Sequence, residues 1–200
     1  MNDTGIIILA AGSSSRLGKP KQLLAWQGKT LIEHAVEQAV AASLFPIVAI
    51  TGAEAKSVSN VLQGKDVFVI HNEAWQEGMA SGIIKGVQAA LSKHSEVKNI
   101  ITAVCDQPFV SAELFQQLVQ EKTATGKDIV ACAYANTIGT PVLFAAKHFA
   151  ALQKLSGAEG AKKLLRQYND EVTTIFFEKG AIDIDTEEDY RNLQTMQPHS

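Results

Sequence analysis

Gly12, Ser13, Ser14, Arg16, Lys19 and Lys21 follow the apolar run Ile6-Ile7-Ile8-Leu9 and the small pair Ala10-Ala11, and together they are residue types suited to holding a polyphosphate. A β-branched run of that length reads as a strand covered on both faces. The small residues after it allow backbone N–H groups to approach an anion, the serines add hydroxyl donors, and three cations within six positions add the charge that a triphosphate requires. Two common phosphate loops do not fit. A Walker A loop has four residues between its glycines and Ser or Thr after its lysine, whereas Gly12 and Gly18 enclose five and Lys19 is followed by Pro20. The dinucleotide fingerprint has a second glycine where this chain has Ser14. Taken alone, the stretch also reads as an ordinary strand-to-helix turn with surface cations.

Carboxylates supply the second type of chemistry. In Val104-Cys105-Asp106-Gln107-Pro108 an apolar run ends in an acid, which could hold Mg²⁺ against phosphates bound by the glycine loop, since Mg²⁺ takes one or two carboxylates plus substrate oxygens. The same Asp106 could simply open a turn before Pro108. In Asp183-Ile-Asp185-Thr-Glu-Glu-Asp189, Thr186 is a good N-cap and the acids after it suit a first helical turn; Asp185 differs because it precedes the cap. Gly78 and Ser81, in Glu73-Ala-Trp-Gln-Glu-Gly-Met-Ala-Ser81-Gly82, could offer backbone and hydroxyl donors at a helix start. Trp75 reads as packed, and none of the five histidines is assigned a catalytic role.

These residues must be positioned by alternating strands and helices. Besides Ile6–Leu9, strands are expected over 46–51, 67–71, 99–105, 128–134, 141–144 and 172–177, and helices over 30–42, 78–93, 112–123 and 186–196. Thr30 and Glu33 form a capping box. The pattern implies an α/β fold, a three-layer, mostly parallel sheet with helices on both faces, whose ligands sit at the carboxyl ends of the strands. Residues 1–196 read as one domain and 197–200 as a terminus that frays.

The stretch Leu9-Ala-Ala-Gly-Ser-Ser-Ser-Arg-Leu-Gly-Lys-Pro-Lys21-Gln-Leu-Leu resembles the N-terminal signature LAAGxSxRxGxxK of the MobA-like nucleotidyltransferases, and among them that of the molybdenum cofactor cytidylyltransferases. The likeness runs on through Glu73–Gly78, Cys105–Pro108, Gly139–Phe144 and Asp183–Asp189. It implies a Rossmann-like nucleotidyltransferase fold in which Leu9, Ala10, Ala11, Gly12, Ser13, Ser14, Arg16, Lys21, Gly78 and Ser81 bind the nucleotide. Arg16, Lys21 and Asp106 would carry catalysis, and Asp106 and Asp185 would bind Mg²⁺. Ala11 stands where relatives using guanine often have glycine, which favours CTP. The chain departs from the family at Thr140, where a histidine is usual, at Ala158, where an aspartate is usual, and at Gly82, where a serine is frequent.

Composition bounds the partners. The chain of 200 residues is 46% apolar with a net charge of −3, enough for a sizeable core and no global attraction to nucleic acid or an anionic membrane. Cys105 and Cys132 lie in apolar runs without zinc spacing and read as reduced, buried thiols. No apolar run reaches a bilayer-spanning length and no basic segment leads a hydrophobic one, so a cytoplasmic location is expected. The family resemblance implies a reaction that transfers CMP from CTP to the terminal phosphate of a pterin-type acceptor, the molybdenum cofactor, with a client molybdoenzyme as a further partner. The alternatives are another triphosphate such as GTP, another phosphorylated acceptor, or a non-catalytic nucleotide- and cofactor-binding insertion chaperone.

Overall fold

Residues 3–14, 17–157 and 160–196 are described by the computed structural model, so the expectations for Arg16, Ala158 and residues 197–200 lie outside the described residues. The elements are β1 (Thr4–Ala10), β2 (Ala25–Trp26), β3 (Lys29–Thr30), α1 (Leu31–Ala41), β4 (Ile47–Thr51), α2 (Ala55–Val61), β5 (Phe68–His71), α3 (Met79–Lys93), β6 (Asn99–Val104), α4 (Ala112–Thr125), β7 (Ile129–Tyr134), β8 (Thr137–Ala145), α5 (Phe149–Leu152), α6 (Lys162–Gln167), β9 (Val172–Phe176) and α7 (Glu187–Thr195). Seven strands form one sheet in the order β5-β4-β1-β6-β8-β7-β9. Neighbours pair in parallel except where β8 is involved.

The period-2 side-chain alternation of β1 builds the layers. Ile6 and Ile8 pack with Ile32, Val36, Val58 and Phe115 of α1, α2 and α4. Ile7 points the other way, into a cluster with Ile83, Val87, Leu152 and Leu164 of α3, α5 and α6. Each of the three isoleucines is 0% exposed, so each stabilises the fold by about 1.5–3 kcal/mol relative to an exposed position. A third cluster joins Leu17, Leu24, Trp26 and Leu31 to Ile184 and Leu193, and so ties the end of the chain to the segment after the glycine loop.

The capping signals are realised. Thr30 accepts from the Glu33 N–H while the Glu33 carboxylate accepts from the Thr30 N–H, and Thr186 and Asp189 form the same reciprocal pair at α7. β8 is longer than its expected span because it continues as a hairpin with β7. Helix α2 was not expected; Val58 is its one buried residue, too little for a periodic apolar stripe.

At the amino-terminal edge of β7 and β9, Asp128 and Glu171 converge with His148, which follows β8. Lys147 Nζ lies 3.3 Å from Asp128 and 2.8 Å from Glu171, and His148 Nε2 lies 3.0 Å from Glu171. This network pins the antiparallel part of the sheet at the edge opposite the carboxyl ends of β1 and β6.

Gly86 of α3 faces β1 closely: a Cβ there would lie 2.5 Å from Ile7 Cγ2. An alanine in place of glycine ordinarily strengthens a helix by about 1 kcal/mol, but here it overpacks. Gly86→Ala is expected to lower stability by about 1–3 kcal/mol in urea denaturation; a gain in stability would show that α3 lifts freely off β1.

Candidate active site

β6 delivers Asp106 to the carboxyl edge of the sheet, beside the end of β1, because Leu9 pairs with Val104 and the Cys105 N–H donates to the Leu9 carbonyl at 3.2 Å. Asp185 reaches the same place from the far end of the chain. The Ile184 N–H donates to the Asp106 carbonyl at 3.2 Å, and Asp185 is followed at once by the Thr186 cap of α7. Both carboxylates meet Lys21. Its ammonium makes a hydrogen-bonded ion pair with Asp106 and lies 2.9 Å from Asp185 Oδ1. The Lys21 and Asp106 side chains are 18% and 15% exposed, and Asp185 is 44% exposed. Burial works against the Lys21 charge, but the two carboxylates outweigh it and hold the lysine pKa above its ordinary value. Asp183 lies close enough for burial, then the charges of Asp106 and Asp185, to push its pKa up.

The glycine loop is anchored by a residue that no sequence motif singled out. Gln22 is 0% exposed, and its Nε2 donates to the carbonyls of Ala10 at 2.9 Å and Gly12 at 2.7 Å. The Ala11 carbonyl accepts from the Ala53 N–H at 3.3 Å. The carbonyls of Leu9, Ala10, Ala11 and Gly12 thus all have protein donors, which removes acceptors that would repel an anion. Ser14 has φ +53°, and its Oγ accepts from the Lys21 N–H at 3.0 Å, so the backbone of Lys21 is fixed to the loop. Lys19, grouped with the loop cations by sequence, is instead paired with Glu187 of α7 at 2.7 Å on the surface.

The turn before α3 closes a second side of the crevice. A Cβ at Gly52 would lie 2.5 Å from the Ala11 carbonyl and 2.7 Å from Trp75 Cβ, so the segments after β1, β4 and β5 meet there. Gly78 caps α3 with φ +105°, a conformation that favours glycine. The Ser81 Oγ accepts from Asn72 Nδ2 at 2.8 Å, and its one proton has the Gly78 and Ala74 carbonyls at 2.8 and 2.9 Å as acceptors, so this hydroxyl shapes the turn. Gly82 is packed, with Leu9 Cδ2 3.2 Å from where a Cβ would stand.

Beside the carboxylates lies a cavity of about 440 Å³, lined by Leu9, Val104, Gln107, Tyr134, Thr140 and Lys162 among others, a volume suited to a small organic ligand. Thr140 reaches it through an irregularity: Ala131 pairs with Val142 but Cys132 pairs with Gly139, leaving Thr140 and Pro141 as a bulge in β8. Gln107 Nε2 holds that bulge to the chain before α7 by donating to the Thr140 and Gly180 carbonyls at 3.2 and 2.8 Å. Burial pushes the Tyr134 phenol up, opposed by Thr140 and Gln107. Gln22, Tyr134 and Lys162 were not anticipated; the only sequence signal for Gln22 was a polar residue set between the loop lysine and the apolar pair Leu23-Leu24.

A mostly parallel sheet whose glycine-rich first turn faces two carboxylates across the strand ends is the architecture of an α/β nucleotide-handling protein. The profile of the MobA-like NTP transferase domain matches residues 6–172, and the chain belongs to this family of nucleotidyltransferases. It is 32% identical over 181 residues to the nicotine blue oxidoreductase of Paenarthrobacter nicotinovorans, covering 84% of this chain and 86% of that one. It is 36% identical over 126 residues to a protein named "Probable molybdenum cofactor guanylyltransferase" from Bacillus cereus (strain G9842), covering 62% of this chain and 58% of that one. Among solved structures, Rv0371c from Mycobacterium tuberculosis H37Rv superposes with a TM-score of 0.81 at 28% identity over 98% of this chain and all of that one. A manganese complex of Rv0371c gives 0.75 at 26% identity over 97% and 99%.

Gln22→Leu keeps the side-chain bulk and removes both donors to the loop carbonyls. It should lower stability by about 1–3 kcal/mol in urea denaturation. An unchanged midpoint would mean that the loop holds its shape without Gln22.

Proposed function

We propose that this protein transfers the nucleotidyl group of a nucleoside triphosphate, with CTP the preferred donor, to the terminal phosphate of a pterin-type acceptor of the molybdenum cofactor type. The observation that carries the reading is the convergence of Asp106 and Asp185 on one cation, Lys21, at the mouth of the glycine loop. Two carboxylates offering oxygens to a single position are a donor set that fits Mg²⁺ or a similar hard divalent ion, and the manganese complex of Rv0371c agrees with that chemistry. Bound there, Mg²⁺ would neutralise phosphate charge.

The chain's own groups do the rest. The loop from Leu9 to Ser14 would seat the triphosphate with its carbonyls occupied by protein donors, Lys21 would neutralise phosphate oxygens, and Arg16, assigned by the family signature, would add a second cation. Gly78 at the start of α3 would add backbone donors, with Ser81 holding that turn in shape. The acceptor would enter the cavity between Tyr134, Thr140 and Lys162. A terminal phosphate oxygen of the acceptor attacks the α-phosphorus of the triphosphate, the bond from the α-phosphorus to the bridging oxygen breaks, and pyrophosphate leaves with that electron pair. No protein nucleophile is needed, so rate enhancement rests on positioning and charge neutralisation.

A second reading is favoured by two observations. The Paenarthrobacter relative spans most of this chain and is named an oxidoreductase, and the cavity here carries a largely apolar wall that includes Leu9, Val104 and Val142, which would accept a flat heteroaromatic ring.

The deciding experiment is pyrophosphate release with CTP, GTP, ATP and UTP in turn, with Mg²⁺, with and without molybdenum cofactor. Release with CTP and cofactor alone is the expected result. Release with GTP would reassign the base, release with another phosphorylated acceptor would reassign the acceptor, and binding without release would favour a carrier. If no triphosphate binds, spectral titration with a conjugated heteroaromatic dye tests the second reading, which predicts saturable binding in the cavity. Asp106→Asn should reduce pyrophosphate release by about 10²-fold or more while circular dichroism remains that of the folded protein; retained activity would remove Asp106 from the mechanism.

A further inference from the structure

We propose that Lys21 is a displaceable plug: before a nucleotide arrives its ammonium fills the position between Asp106 and Asp185, and it moves to the triphosphate when a divalent cation takes that position. The inference rests on the nucleotidyltransferase reading and assigns the order of events at the same site. Its geometry is the ion pair of Lys21 with Asp106 and the 2.9 Å contact with Asp185 Oδ1. An ammonium in contact with both carboxylates and a divalent ion bound by the same oxygens would lie within a few ångströms of each other in a half-buried pocket, where like charges repel strongly. The two cations therefore exclude each other.

The lysine has somewhere to go. Its backbone is fixed by the Ser14 Oγ, so the side chain pivots on a point tied to the glycine loop, and its four-carbon stem can swing without moving the fold. A triphosphate seated on Gly12, Ser13 and Ser14 would offer the ammonium new oxygens next to that pivot. Leaving the carboxylates without such a partner would strand a half-buried charge, which is costly. Metal binding and triphosphate binding are thus linked: each removes an obstacle to the other, by the same factor in both directions. In the absence of nucleotide the site stays closed to stray divalent ions, and it is also kept from the repulsion of Asp106, Asp183 and Asp185.

The test uses Mn²⁺ alone, without nucleotide, as the probe, with free Mn²⁺ counted by its paramagnetic resonance signal. Four proteins are compared: the unaltered chain, Lys21→Met, Lys21→Arg and Lys21→Met with Asp106→Asn. Removing the plug should tighten Mn²⁺ binding by about tenfold or more, keeping the charge as arginine should leave it as weak as in the unaltered chain, and adding Asp106→Asn should abolish the gain. Equal or weaker binding by Lys21→Met, with Asp106→Asn still weakening it, would overturn the plug and leave the metal reading standing. Binding that Asp106→Asn does not affect would instead overturn the metal reading on which the plug depends. Should circular dichroism show that Lys21→Met does not fold, Lys21→Gln carries the same comparison.

Discussion

Carboxylates gathered at one place repel one another, and the rest of this site is arranged around that fact. Asp106 comes from the middle of the chain and Asp185 from near its end, with Asp183 close by. Lys21, only nine residues beyond Gly12, supplies the compensating charge. The ion cluster therefore does two jobs: it offsets a concentration of negative charge that would otherwise oppose folding, and it tethers the glycine loop to both acids. The raised pKa values of Lys21 and Asp183 are two faces of the same electrostatic situation.

That cluster can form because the sheet sets its register with little freedom. The parallel ladder from Leu9 to Val104 fixes where β1 and β6 end relative to each other, and both strands are buried on each face by separate sets of helices. A slip of one residue would turn Ile7 and its neighbours to the wrong layer. The packing that makes the fold stable thus also determines that Asp106 and the loop face the same crevice. The third cluster, with Trp26, Leu31, Ile184 and Leu193, does the equivalent work for Asp185.

The sequence made the parallel core legible because its signals are local: apolar runs for β1, β4 and β6, and a capping box at Thr30 whose partners lie three residues apart. The carboxylate positions were legible for a related reason, since an acid directly after a buried strand, or directly before a helix cap, has its place set by its neighbours. What stayed hidden depends on contacts distant in sequence. Gln22 supports the loop through carbonyls ten and twelve residues away, and the bulge that carries Thr140 arises from the pairing of β7 with β8. The pairing of Lys19 with Glu187 was equally invisible, because it joins segments 168 residues apart.

The cavity beside the carboxylates differs in charge from the glycine loop. The cavity is bordered by Asp106 and Asp183, with Lys162 as a cation in its lining. A phosphorylated acceptor brings negative charge toward those acids, so its entry requires compensation from Lys162 and from cations at the carboxylates; an uncharged heteroaromatic ring requires none and gains from the apolar wall. Where family members usually carry a histidine, Thr140 offers a hydroxyl and no titratable ring, which lowers the cavity's capacity to balance an anion. The fold is shared by proteins named for different chemistry, so the scaffold alone does not choose between these ligands. The two ligand types differ in what they ask of the charge balance around Thr140 and Lys162, in a cavity that borders the Asp106–Asp185–Lys21 cluster.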